Sequence, residues 1–148
     1  MTYHILALDN VDKKAIELLE KTEGFKVTAG NLPREEVIKL LPDADAMVIR
    51  STTQADAELL SHATKLKAIA RAGVGVDNVD LDEATKHGIV VMNTPDGNTI
   101  ATAEFALGLM LALARHIPAG HSSLSANKWD RKSFVGVELR GKTLGIVG

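Results

Sequence analysis

An α/β fold built on a five-stranded parallel sheet is predicted by three features of the sequence. Short apolar runs alternate with amphipathic segments, the connections between them are only a few residues long, and the runs end in turn-forming or charged residues. A strand covered on both faces reads as a continuous apolar run and brings its chemistry to solvent at its carboxyl end. The run over residues 67–71, which ends in Arg71 and opens into Ala72-Gly73-Val74-Gly75-Val76-Asp77, is the one around which the chain is organised.

Residues 3–8 read as the first strand, and 11–20 place Val11, Ala15, Ile16, Leu18 and Leu19 at the 3.6-residue period of an amphipathic helix. Residues 26–28 make a short second strand after Gly24, and 33–41 a second helix, with Pro33 suited to its first turn. A third strand over 46–49 ends at Arg50-Ser51-Thr52-Thr53, and 56–63 form a third helix before the fourth strand, 67–71. The fourth helix, 81–87, opens at Asp80 with Glu83 three residues on, the spacing of a capping box. Residues 89–92 are the fifth strand. Right-handed crossovers return each strand beside an earlier one, so the expected arrangement is flavodoxin-like, order 2-1-3-4-5, with helices on both faces.

The first domain, 1–97, is expected to end where Asn93-Thr94-Pro95-Asp96-Gly97 stops the fifth strand and forms a hinge, leaving 98–148 to a second domain. That second part holds a long apolar helix from residue 98 or 99 to 115, a short helix over about 118–126, and a strand over 142–147 that reaches Gly148. The long helix is shorter than the roughly 20 residues a bilayer crossing takes. It is apolar around nearly its whole circumference, and is expected to be buried against a second domain or a second chain. Glu104 within it should then find a partner across that interface, and Trp129 should be a packing anchor.

A hydrophobic content of 45% with 24% charged residues suits a globular core over 148 residues. The net charge of −2, with one Trp, one Tyr and three Phe, provides neither a basic stripe nor a stacking platform, so no nucleic-acid partner is expected. The absence of cysteine excludes a disulfide framework, a thiolate nucleophile and a cysteine-ligated zinc. The start, Met1-Thr2-Tyr3-His4-Ile5-Leu6, does not read as a secretion signal, and a cytoplasmic location is expected. His4, His62, His87, His116 and His121 read as surface or helix-end residues, with no metal site.

Arg50 and Arg71 fall at the carboxyl ends of the third and fourth strands, neighbours in the expected order, and so at one crevice. Ser51 adds a hydroxyl there, and the loop Ala72, Gly73, Val74, Gly75 adds backbone N–H groups. A guanidinium is a planar fork matched to carboxylate or phosphate, so the site suits a small anion. The plainer alternative is a solvated arginine beside glycines that a tight turn requires. Asp77 and Asp80 read as turn and N-cap residues. A phospho-receiver on this scaffold would need an acidic cluster after the first strand, where Asp9 stands alone. A ligand-binding module without chemistry remains the competing class.

Arg50-Ser51-Thr52-Thr53, the stretch from Arg71 to Asp80, Gly88-Ile89-Val90-Val91-Met92-Asn93-Thr94-Pro95, Gly97-Asn98, Ala103-Glu104 and Gly141-Lys142-Thr143-Leu144-Gly145-Ile146-Val147-Gly148 together resemble the D-isomer-specific 2-hydroxyacid dehydrogenases. The resemblance implies a substrate-binding domain followed by the opening helices and first strand of a truncated Rossmann domain that binds NAD. It implies that Arg50 and Arg71 face the phosphate or carboxylate of a small phosphorylated hydroxyacid. Val74 would approach the nicotinamide end of NAD through its main chain, and Gly148 would be the first glycine of the dinucleotide fingerprint. The family's catalytic Arg, Glu and His match no residue here. An amino-terminal part of a longer enzyme is therefore expected, inactive by itself and self-associating through helix 99–115 and the carboxyl-terminal segment.

Overall fold

The computed structural model describes residues 1–147 and divides into two compact units, Met1–Gly97 and Asn98–Gly148. In the first, strands β1 (Tyr3–Ala7), β2 (Phe25–Ala29), β3 (Ala46–Ile49), β4 (Ala68–Arg71) and β5 (Val90–Met92) form one parallel sheet, ordered β2-β1-β3-β4-β5 as expected. Helices α1 (Lys13–Glu20), α2 (Arg34–Leu40), α3 (Ala57–Ser61) and α4 (Leu81–Lys86) make the crossovers.

Local chemistry fixes where these helices begin. Asp12, Asp56 and Asp80 are N-caps whose carboxylates accept the N–H groups of Lys14, Leu59 and Glu83. The capping box at α4 is only half formed. The Asp80 N–H donates to the Ala55 carbonyl at 2.9 Å, and the Glu83 carboxylate turns to Lys86 Nζ at 2.8 Å. Pro33 is the N-cap of α2, one position before the first turn in which it was expected.

The core gathers Leu6, Leu8, Leu41, Met47, Ile49, Leu59, Leu60 and Ile69, all fully buried. Side chains alternate along a strand, and residues in register on parallel neighbours share a face. Met47 pairs with Ile69 and Ile49 with Arg71, so these four stand on the deeply covered face, while Ala46, Val48, Ala68 and Ala70 on the other are half-buried. Arg71 thus leaves the sheet from its drier side. That face explains why its Nε is buried although its strand ends at solvent.

The second unit contains α5 (Thr99–Ala114) and α6 (Ile117–Ser125), bent by 63° where His116 takes a left-handed φ of 52°. No single helix among the described residues is long and apolar enough to cross a membrane. Within the single chain no residue of α5 is buried, and Phe105, Leu109 and Leu113 are exposed, as is Glu104. Two expectations fail here. Trp129 is exposed, so the indole anchors no core. Residues 142–147 form no strand, since among the described residues none lends them the paired backbone groups a strand needs. Gly148 lies outside the described residues.

Candidate functional site: an arginine-bearing sheet rim

Strand pairing brings the two arginines together in the backbone. Ile49 is in register with Arg71, and the Ala72 N–H continues the ladder to the Ile49 carbonyl at 2.8 Å. Arg50 is the next residue, one step out of register with Arg71, so the two lie on the ends of neighbouring strands whose axes run about 5 Å apart. Arg50 and Ser51 are exposed and Arg71 is half-buried. Among the described residues neither guanidinium enters an ion pair, and the buried Arg71 Nε has no hydrogen-bond partner. Two cations left uncompensated at one rim suit an anion from solvent.

The glycine loop differs from expectation in its details. The N–H of Ala72 is spent on Ile49 and that of Gly73 on the Arg71 carbonyl at 2.8 Å, so neither is offered to a ligand. Among the described residues the amides of Val74 and Gly75 donate to no backbone carbonyl, and both residues are exposed. Neither Gly73 nor Gly75 has a positive φ. Gly73 leaves room for the Arg71 guanidinium, which folds over the loop: a Cβ there would fall inside it and the flexible end of that side chain would have to move. The far side of the loop is tied to the end of the sheet, with Asn93 Nδ2 donating to the Val74 carbonyl at 2.7 Å and the Thr94 N–H to that of Gly73 at 2.9 Å.

Two buried residues that no sequence pattern placed at the site organise the Arg50 turn. Asp9 is 7% exposed and accepts from the N–H groups of Arg50 (2.8 Å) and Thr53 (3.0 Å) and from the Thr53 hydroxyl (2.7 Å). Asn78 is 6% exposed and donates through Nδ2 to the carbonyls of Arg50 (2.8 Å) and Thr53 (2.7 Å). The clue in the sequence is Asp9-Asn10 directly after an apolar strand, two residue types that tolerate the left-handed φ of 60° and 52° they adopt.

Beyond that turn, a cavity of about 460 Å³ is lined by Asp9, Arg34, Val37, Thr52, Thr53 and Gln54 among others, and neither Arg50 nor Arg71 lines it. Arg34, one of its lining residues, donates to the Gln54 carbonyl (3.1 Å), Asp56 (2.7 Å) and Glu58 (2.8 Å). The Arg34 guanidinium, followed by the Leu59 N–H, holds the Asp56 carboxyl below the usual carboxylate range.

In the first unit the histidines stand before β4 and β5 and within β1, away from the carboxyl ends of β3 and β4, and two more belong to the second unit. His62 and His87 are C-caps, and His116 and His121 belong to the start and body of α6. His4 departs from the surface expectation: it is half-buried in β1, with Nε2 at 2.8 Å from the Thr28 hydroxyl. His87 also has Glu83 one helical turn before it, with Nε2 3.6 Å from Oε1.

Comparison with known proteins identifies the family and the fold. Residues 5–143 match the profile of the D-isomer specific 2-hydroxyacid dehydrogenase catalytic domain. A D-3-phosphoglycerate dehydrogenase from Archaeoglobus fulgidus is 49% identical over 145 residues, which is 97% of this chain and 27% of that protein. The crystal structure of a glyoxylate reductase from Paecilomyes thermophila superposes with a TM-score of 0.85 at 29% identity, over 100% of this chain and 49% of that one. An NAD-dependent formate dehydrogenase from Staphylococcus aureus, in complex with NAD, gives 0.76 at 30% identity over 88% and 44%. The chain thus spans about a quarter of the dehydrogenase from Archaeoglobus and about half or less of the two solved structures. A profile match that runs through both arginines, the glycine loop and α5 makes the chain a member of the D-isomer-specific 2-hydroxyacid dehydrogenase family.

Proposed function

We propose that this chain provides the substrate-binding domain, residues 1–97, and the opening of the NAD-binding domain of an enzyme that oxidises D-3-phosphoglycerate to 3-phosphohydroxypyruvate. The observation that carries the reading is the pair of adjacent strand ends bearing Arg50 and Arg71, with neither guanidinium in an ion pair among the described residues. In this oxidation the C2–H bond gives up a hydride, the 2-hydroxyl gives up a proton to a base, and the C2–O bond becomes a carbonyl. NAD, when bound, accepts the hydride. The chain's own contribution is binding and orientation: two guanidinium forks grip the anionic groups of the substrate and so fix its C2.

The exposed main chain of Val74, whose carbonyl Asn93 holds, is the contact for the nicotinamide end of NAD, and Gly148 is the family's first fingerprint glycine. The 148-residue chain alone is expected to form no NADH from 3-phosphoglycerate and NAD, because the family's catalytic Arg, Glu and His match no residue of it. A small-metabolite dehydrogenase of this kind belongs in the cytoplasm.

Titration of the chain with 3-phosphoglycerate tests the clamp. Arg71→Ala is expected to weaken binding by about tenfold or more, the loss of a charge-assisted contact; equal affinity for variant and wild type overturns the reading. The likeness to a glyoxylate reductase favours a second substrate, an unphosphorylated 2-keto acid. Glycerate binding as tightly as 3-phosphoglycerate would select that reading. The chain is also proposed to self-associate through α5, whose apolar side chains are exposed, and through its carboxyl-terminal segment. A monomer by light scattering at high concentration overturns this.

A further inference from the structure

We infer that Asp9 and Asn78 are positioning residues: they grip the Arg50–Thr53 turn from two sides and hold Arg50 in place for the anion without touching the anion themselves. The inference rests on the anion-clamp reading above and deepens it.

The turn has four backbone groups at its ends, the N–H and C=O of Arg50 and of Thr53, and all four are taken by two side chains. Asp9 Oδ2 accepts both N–H groups, and Asn78 Nδ2 donates to both carbonyls. The atom between two carbonyls must be a donor, which fixes the amide orientation of Asn78. Neither side chain is local. Asp9 lies at the end of β1, which the Leu8 N–H extends by one more bond to the Val48 carbonyl at 2.8 Å, so the carboxylate is delivered opposite the end of β3. Two successive left-handed residues, Asp9 and Asn10, turn the chain there, an unfavourable conformation that is offset by the three bonds that Asp9 gathers.

Asn78 arrives from the other wall. It follows the 72–77 loop, and its own carbonyl accepts the Ala55 N–H at 2.8 Å while Val79 bridges Ala55. One carboxamide therefore ties the loop after Arg71 to the turn that begins with Arg50. The amides of Ser51 and Thr52 are left on the exposed outer side of the turn.

The isosteric variants separate geometry from mere burial. In Asp9→Asn the carboxamide oxygen can still accept both N–H groups, while its NH2 donates to the Thr53 hydroxyl, which becomes an acceptor. In Asp9→Ala nothing replaces these bonds. In Asn78→Asp a carboxylate faces two carbonyls. Affinity for 3-phosphoglycerate is measured by NMR titration well below each variant's melting temperature, together with hydrogen exchange at the Arg50 and Thr53 amides.

Asp9→Ala and Asn78→Asp are expected to lose about tenfold in affinity and to speed exchange at those amides. Asp9→Asn should stay within about threefold of wild type, a rescue that loss of general stability would not produce. A folded Asp9→Ala that binds like wild type overturns the positioning role, and the loss in Arg71→Ala then shows that the clamp itself stands. Wild type without affinity for 3-phosphoglycerate overturns the clamp and the positioning role together. If Asp9→Ala does not fold, Thr53→Val removes only the 2.7 Å hydroxyl bond. It is expected to cost about threefold, and unchanged affinity and exchange count against the inference.

Discussion

The sheet buries one carboxylate at each end, and the two are satisfied by different means. At the amino end, Asp45 Oδ2 accepts the His4 N–H at 2.8 Å and also meets Lys65 Nζ at 3.0 Å. At the carboxyl end, Asp9 has three donors, all neutral, and among the described residues no cation within ion-pair reach. Pairing a buried charge with a cation is the ordinary solution, and at the amino end it ties the chain between β3 and β4. At the carboxyl end the same solution would consume an arginine. Serving Asp9 with amides and a hydroxyl leaves Arg50 and Arg71 outside any ion pair among the described residues, which is what the proposed anion clamp requires of that end of the sheet.

Removing each carboxylate should break that contrast most forcefully. Asp9→Ala strands two amides and a hydroxyl and is expected to cost about 2–4 kcal/mol in urea unfolding, with loss of anion affinity. Asp45→Ala strands the His4 N–H and should cost about 1–3 kcal/mol while leaving anion affinity as it was. The contrast fails if Asp45→Ala weakens 3-phosphoglycerate binding as much as Asp9→Ala does.

Next in size comes Gly73→Ala. The backbone at 73 lies outside the left-handed region, so alanine adds no backbone strain, but its Cβ must displace the Arg71 guanidinium. Stability should change by no more than about 0.5 kcal/mol, while anion affinity drops several-fold. Calorimetric melting and the same titration give both quantities. Unchanged affinity would mean that the observed seat of the guanidinium is not the one that binds.

The strands and their order were legible because apolar runs such as 46–49 and 67–71 stop at residues that cannot be buried, and because parallel crossovers admit few arrangements. Arg50 and Arg71 were legible for the same reason, each being the first charge after such a run. Asp9 and Asn78 were not, since their hydrogen bonds span 41 and 28 residues to Arg50 and no local pattern encodes them. Gly73 was noticed for the wrong physical reason: no left-handed φ calls for it, and what it supplies is room for the present seat of the Arg71 guanidinium. The apolar circumference of α5 promised burial, yet periodicity reports what a helix can bury and not what this chain provides to cover it.

The smallest expected effect tests what actually holds Asp45. Its carboxyl lies below the ordinary carboxylate range, chiefly through the His4 N–H and then Lys65, with burial opposing both. A carboxyl depressed in the folded state contributes stability that is fully present above its ordinary value, about 4, and is lost as pH falls through the folded value. Unfolding free energy should therefore decline as the pH falls below about 4–5, and Asp45→Asn should flatten part of that decline. Lys65 is half in solvent, so Lys65→Ala should cost less than about 1 kcal/mol near neutrality, shrinking further with added salt, and should leave most of the acid limb intact. If Lys65→Ala instead flattens the limb as fully as Asp45→Asn, the cation holds the carboxylate and the amide is secondary. Asp9, with amides and a hydroxyl alone, would then be the poorly compensated charge of the two, and Asp9→Asn should stabilise the fold by removing it.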